Sequence, residues 1–231
     1  AITRPIRYAI QSVNNETGVI QSLDAIYDAV RAAGGTLFAD CSQSAGKLAL
    51  PEADLIAVSA HKLGGPPGVG ALFTRDLGLL RPTGGQEQGY RRGTENLPAA
   101  IGFAAALEAG FGWLDQAKAL RKMLDDAIMA EGGEVVAAGS NRLATIGSYR
   151  MLGVAASSQL INFDMADIAV SAGSACSSGT LKTSHVLGAM GWDTVAASEV
   201  IRVSFGPDTS EDDIMRFIEI WRSISARAKA A

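Results

Sequence analysis

Short apolar runs that end on polar residues alternate along this chain with stretches of helical periodicity. Ile6 to Val13 reads as a strand, and Leu23, Ile26, Tyr27 and Val30 then recur at helical spacing, with Ser22 placed to cap the start and Gly34 to stop it. A second strand, Thr36 to Ala39, delivers Asp40 at its C-terminal end. A third, Leu55 to Val58, runs into Ser59-Ala60-His61-Lys62, and the loop GGPPGVG leads on to a short strand, Ala71 to Thr74. Strands that alternate with helices need those helices to cover the sheet, so the pattern predicts an α/β fold with a mostly parallel sheet.

The second half carries a different pattern. Leu97 to Ala109 and Trp113 to Ala130 both have helical spacing, the latter with Trp113, Ala117, Leu120, Leu124 and Ile128 on one face. A boundary near Phe111 follows, dividing residues 1–111 from a smaller α/β domain, 112–231. Within the smaller domain Val135 to Ala138 and Ser158 to Phe163 are expected as strands. They precede a run of small residues, SAGSACSSGT, and a short helix, Ser184 to Met190. The final helix has the clearest signature. Ser210 with Asp213 three residues on is a capping-box variant, Glu211 and Asp212 favour the positive helix start, and Ile214, Phe217, Ile218, Trp221 and Ile224 form a buried stripe.

Composition narrows function more than fold. A chain of 231 residues with 48% hydrophobic and 19% charged residues can bury a sizeable core and belongs with folded proteins. Its formal net charge of -4 argues against a nucleic-acid or anionic-membrane partner, leaving small molecules and proteins. Charged residues interrupt every apolar run before the roughly 18 residues of a membrane span. The opening AITRPIRYAIQSVNNETG lacks the apolar core of a secretory signal, so the expected location is the cytoplasm. Cys41 and Cys176 are the only cysteines and are expected to be free thiols.

Three polar clusters stand at strand ends or in loops: Asn14-Asn15-Glu16, Asp40 with Gln43, and Ser59 to Lys62. In open α/β sheets ligands bind beyond the carboxyl ends of the strands. Each cluster alone has a plain structural explanation, as a turn, a cap or a solvated lysine. Together they hold the groups that pyridoxal phosphate (PLP) requires: the Lys62 amine for its aldehyde and the Asp40 carboxylate opposite its ring nitrogen. Asn15, Gln43, Ser59, His61 and Thr94 are candidate neutral donors for its hydroxyl and phosphate. Cys41 is expected to be a small buried residue. His185 has no accompanying motif that would make it the catalytic partner of Cys176, and no paired ligand spacing suggests zinc.

The segments NNETGVIQ, the Asp-Cys-Ser-Gln of FADCSQSAGKLAL, SAHKLGGPPGVGAL, GGQEQGYRRGTEN, SAGSACSSGT, SHVLGAMG and IRVSFG follow one another across almost the whole chain. As an ordered set they resemble the cysteine desulfurases of the class V aminotransferase group, among the fold type I PLP enzymes. The resemblance implies that residues 1–111 are the C-terminal part of the PLP-binding large domain and 112–231 the small domain with the cysteine loop. It implies that Lys62 holds PLP covalently, Asp40 pairs with the pyridinium nitrogen, Asn15 and Gln43 bond the ring oxygen, and Ser59 and His61 bond the phosphate. Thr94 would reach the phosphate of the neighbouring subunit in a homodimer. Arg202, with Asn15, would take the substrate carboxylate, a task suited to a planar guanidinium.

Cys176 would then be the nucleophile that takes sulfur from L-cysteine, leaving L-alanine and a persulfide. The sulfur would pass to an iron-sulfur scaffold or thiolation protein, with Cys176 meeting a cluster only during transfer and no resident metal. Small neighbours suit a thiol that must travel between substrate and acceptor. Two departures accompany the resemblance. The family's chains have a longer N-terminal part, whose phosphate-cup motif and ring-stacking histidine do not precede Asn14 here, so the chain is expected to be a fragment of such an enzyme. Pro67 also stands where lysine is common. Two classes of function are therefore expected: a PLP enzyme, as a desulfurase or a related lyase or aminotransferase, or a non-catalytic remnant that binds partner proteins.

Overall fold

The computed structural model describes residues 8–173 and 183–230, which form two compact units. The first comprises residues 8–14 and Ile20–Phe111. Its sheet contains β1 (Tyr8–Gln11), β2 (Leu37–Asp40), β3 (Leu55–Ser59) and β4 (Gly70–Thr74), in that order. The first three strands are parallel, with Gln11 beside Asp40 and Asp40 beside Ala57, and β4 returns antiparallel to β3. Helix α1 (Leu23–Ala32) connects β1 to β2 and buries Leu23 and Val30. They join Leu37, Ala39, Cys41 and Val58 in the core. Gly34 turns the chain after α1 at φ 67, whereas Ser22 makes no side-chain cap. Helix α2 (Leu97–Ala109) is capped instead by a side chain, the Asn96 Oδ1 accepting from the Ala99 amide at 3.2 Å.

The second unit comprises Asn15–Val19 and the described residues from Gly112 onward, so Asn15–Val19 stands apart from the 1–111 division expected from sequence. Helix α3 (Leu114–Ala130) leads into an antiparallel sheet of β5 (Glu134–Val135), β6 (Ile146–Arg150), β7 (Ser171–Ala172) and β8 (Val200–Ser204), ordered β5-β6-β8-β7. Helices α4 (Ala156–Asp164), α5 (His185–Ala189), α6 (Thr194–Ser198) and α7 (Glu211–Ala230) complete it. One core joins Leu124, Ile128, Tyr149, Ile201 and Trp221. Phe163 stacks on Phe217 with centroids 4.4 Å apart, and Phe217 on Trp221 at 6.1 Å. The start of α7 has the reciprocal cap that its spacing predicts: the Ser210 amide donates to Asp213 Oδ2 at 2.9 Å, and the Asp213 amide donates to Ser210 Oγ at 3.2 Å.

Ser158 to Phe163 corrects a strand expectation, for it lies inside α4. Ala156, Gln159 and Phe163 are buried at helical spacing, and the Gln159 amide donates to the carbonyls of Val154 and Glu199 at 2.8 and 2.7 Å. A six-residue window satisfies both a strand and a helix period; the longer buried stripe favours the helix. Of the strand expected over Val135 to Ala138 only Val135 lies in β5, and residues 136–138 form a turn instead. Neither central strand is among those expected from sequence: β8 has the largely β-branched run Val200-Ile201-Arg202-Val203, a local strand signal that those expectations omit, whereas the Gly147-Ser148 pair of β6 is a weak strand former stabilised by burial between neighbours. Among the described residues no single helix is long and apolar enough to cross a membrane.

Candidate functional site

Parallel strands end on a common edge, which puts β2 and β3 in position to present their following residues together. Asp40 closes β2, and its Oδ1 accepts from the Ser42 amide at 2.9 Å while its backbone carbonyl accepts from the Ser12 amide at 2.8 Å. Gln43 belongs to the same turn. Ser59 closes β3, and the chain winds immediately into a tight 3-10 turn, Ala60–Lys62, with the Leu63 and Gly65 amides donating to the Ala60 carbonyl. Gly64 and Gly68 adopt φ of 91 and 81, left-handed conformations that let the chain double back after Lys62. Ser59 Oγ and His61 Nδ1 lie 2.9 Å apart, and Lys62 is exposed at the end of the turn. Cys41 is fully buried, and burial pushes its thiol pKa up.

Lys47 escapes a reading of the sequence, where GKLAL resembles a solvated loop. Its Nζ donates to the Gln43 carbonyl at 3.1 Å and to the Lys62 carbonyl at 3.0 Å. One ammonium thus joins the turn after β2 to the turn after β3. Burial, aided by the nearby charge of Lys62, holds the Lys47 pKa below the ordinary lysine value. Lys47→Met is expected to cost about 1 kcal/mol, a fall in Tm of about 2–4 °C, with faster amide hydrogen exchange over residues 60–65. A melt and exchange profile indistinguishable from the parent would show that this bridge does not hold the two turns.

In the second unit Arg202 lies mid-strand in β8, opposite Ser148 of β6 and Ser171 of β7. Its Nη1 donates to the Asn15 carbonyl at 3.0 Å. Asn15 opens a segment whose Gly18 carbonyl accepts from the Leu143 amide at 2.8 Å and whose Val19 forms an antiparallel bridge with Arg142. Gly18 has φ 74, and a Cβ there would stand 2.9 Å from the Ile146 carbonyl oxygen. The buried Glu16 carboxylate accepts from the Ser184 hydroxyl, which in turn caps α5 by accepting from the Leu187 amide at 3.1 Å. Beside Arg202 a cavity of about 10 Å³, lined by Glu16, Ser148, Ser184 and Ile201, is the size of one water.

The sequence candidates thus fall into two groups, each assembled within its own unit. Asp40, Gln43, Ser59, His61 and Lys62 gather at the ends of β2 and β3, and Asn15 meets Arg202. Thr94 stands in the exposed stretch before α2, where its carbonyl accepts from Arg91 Nη2 at 3.3 Å. Cys176, with most of the small-residue loop expected to carry it, lies outside the described residues. Among the described residues no cluster of three or more His, Cys, Asp or Glu side chains could hold a metal ion.

Known proteins resemble this chain in sequence and fold. The family model for class-V aminotransferases matches residues 4–217. A cysteine desulfurase of Gluconacetobacter diazotrophicus is 35% identical, over 96% of this chain and 60% of its own length. A NifS-like protein of Rickettsia africae superposes with a TM-score of 0.82 at 28% identity, covering 94% of this chain and 61% of that one. SspA in complex with cysteine superposes with a TM-score of 0.69 at 28% identity, covering 87% and 59%. The chain therefore spans about 60% of the length of these relatives. With the α/β architecture of the fold type I PLP enzymes and a match over most of its length, this chain belongs to the class-V aminotransferase family.

Proposed function

We propose that this chain serves a PLP-dependent cysteine desulfurase that converts L-cysteine to L-alanine and leaves the sulfur as a persulfide on Cys176. The observation that carries this reading is the presence of Asp40 at the C-terminal end of β2 and of Lys62 in the turn immediately after the adjacent parallel strand β3. Enzymes of this family depend on PLP, and the donor set fits it. Lys62 offers an amine for the aldehyde, Asp40 a carboxylate for the ring nitrogen, Gln43 an amide for the ring oxygen, and Ser59 with His61 donors for the phosphate. Asn15 and Thr94 are read as further cofactor contacts, Thr94 toward a second subunit of a homodimer.

When bound, PLP supplies an aldehyde for the substrate amine and a ring that withdraws electrons from its α-carbon. With PLP in place, the Asp40 carboxylate would keep a proton on the ring nitrogen, and Lys62 Nζ would take the substrate α-proton and return it. Arg202, oriented by the Asn15 carbonyl, binds the substrate carboxylate through two parallel N–H bonds. The Cys176 thiolate attacks the substrate sulfur; an S–S bond forms as the Cβ–S bond breaks, and protonation at Cβ completes L-alanine. SspA binding cysteine supports the choice of substrate. An iron-sulfur scaffold or thiolation protein of the cytoplasm is the proposed acceptor, in keeping with the IscS name borne by a relative from Anaeromyxobacter.

Incubation with PLP and L-cysteine should yield L-alanine and, without an acceptor, one persulfide per chain. Cys176→Ala should keep PLP bound while losing the persulfide. Undiminished sulfur release from Cys176→Ala would reassign the nucleophile, and no L-alanine from protein of verified intact mass would sink the enzyme reading for this chain.

A further inference from the structure

We infer that Arg121 is a positioning residue for Arg202, acting through the backbone of residues 142–143 and 15–19; the functional part of this inference rests on the reading of Arg202 as the carboxylate site. Arg121, a largely buried residue of α3, donates through Nη1 to the carbonyls of Arg142 at 3.0 Å and Leu143 at 2.8 Å. Those two residues carry the next link. The Leu143 amide donates to the Gly18 carbonyl at 2.8 Å, and Arg142 bridges Val19. At the other end of the same segment the Asn15 carbonyl receives Arg202 Nη1. No helix or strand includes residues 15–19, so these contacts, with the Glu16–Ser184 bond, take the place of a regular ladder in fixing where the Asn15 carbonyl stands.

One helical turn on from Arg121, Asp125 accepts from Arg142 Nη2 at 2.8 Å and from the Tyr149 hydroxyl at 2.9 Å, holding the Arg142 side chain to α3 as well. Two guanidiniums share this one carboxylate, with Arg121 Nε more distant at 3.9 Å. Loss of Arg121 therefore leaves a balanced Asp125–Arg142 pair and a chain expected to fold. What it removes is the donor to two backbone carbonyls, and with it the anchor of the turn that carries residues 18 and 19. A guanidinium that grips a carboxylate through two parallel bonds tolerates only about 10–20° of misalignment, so a loosened Asn15 should be felt at Arg202.

The test compares Arg121→Gln and Arg121→Lys with the parent. Amide exchange over residues 16–19 should quicken about tenfold in Arg121→Gln while core amides of α7 are unchanged, and Arg121→Lys, which keeps a donor for one carbonyl, should recover part of the protection. In the PLP-loaded protein the KM for L-cysteine should rise about tenfold in Arg121→Gln with kcat within about twofold, the mark of lost uniform binding. Unchanged exchange over 16–19 would overturn the clamp. Faster exchange with an unchanged KM would overturn its link to Arg202. A parent protein that turns over no L-cysteine would defeat the proposed function, and the exchange result would still decide the clamp.

Discussion

Lys62→Ala should lose protein-bound PLP absorbance in the visible completely and cysteine turnover with it. The amine is the one group the donor set offers at that turn for an aldehyde, and in the proposed mechanism it is also the proton carrier, a role that by itself is worth about 10²–10⁴ in rate. The backbone of the turn does not need the side chain. Lys62 is exposed, its carbonyl continues to accept from Lys47, and the Ala60 carbonyl continues to receive Leu63 and Gly65. The variant should therefore melt within about 0.5 kcal/mol of the parent, so that loss of the band reports the amine and not unfolding. Lys47 cannot stand in, because its ammonium is committed to two carbonyls. A visible band that survives in Lys62→Ala would move the cofactor to another lysine.

Asp125→Asn should destabilise the second unit strongly, by about 3–5 kcal/mol in urea or thermal unfolding. The carboxylate lies between two guanidiniums, and the Arg142 side chain retains only 6% of its accessible surface. Among the described residues no other carboxylate pairs with either arginine. An amide in its place keeps the shape and an acceptor for the Tyr149 hydroxyl, but leaves two buried cations without an anion. The Tyr149 pKa is held well above its ordinary value by burial first and by Asp125 second, so the hydroxyl stays a donor at neutral pH. The exposed Arg75–Glu52 pair is the contrast: its loss should cost no more than about 1 kcal/mol. A cost below about 1 kcal/mol for Asp125→Asn would mean that solvent, not Asp125, balances the two arginines.

The same contrast separates what was legible in the residues from what was not. Asp40 at the end of β2, Ser59 to Lys62 at the end of β3, and the capped α7 all follow from local rules: an apolar run of strand length, a polar stop, a Ser with an acidic residue three positions on. The ordered motifs added the family. Ser158 to Phe163 reads as a strand because six residues cannot distinguish two periods, β6 leaves little local signal because burial between neighbours is what makes its Gly147-Ser148 stretch a strand, and β8 does carry a local signal in the β-branched Val200, Ile201 and Val203.

Spacing and residue type were thus enough for the α/β class and the candidate cofactor pair, since each depends on chemistry or periodicity within a few residues, whereas the arginine of IRVSFG was singled out only by the resemblance to a known family. Lys47 bridging Gln43 to Lys62, Arg121 gripping the carbonyls of 142 and 143, and the assignment of Asn15–Val19 to the unit of Arg202 were decided by tertiary structure alone. Hydrogen bonds and buried charges between residues as far apart as 15 and 202 form only when the chain has closed, and a contact with no fixed spacing leaves no pattern in the sequence to read.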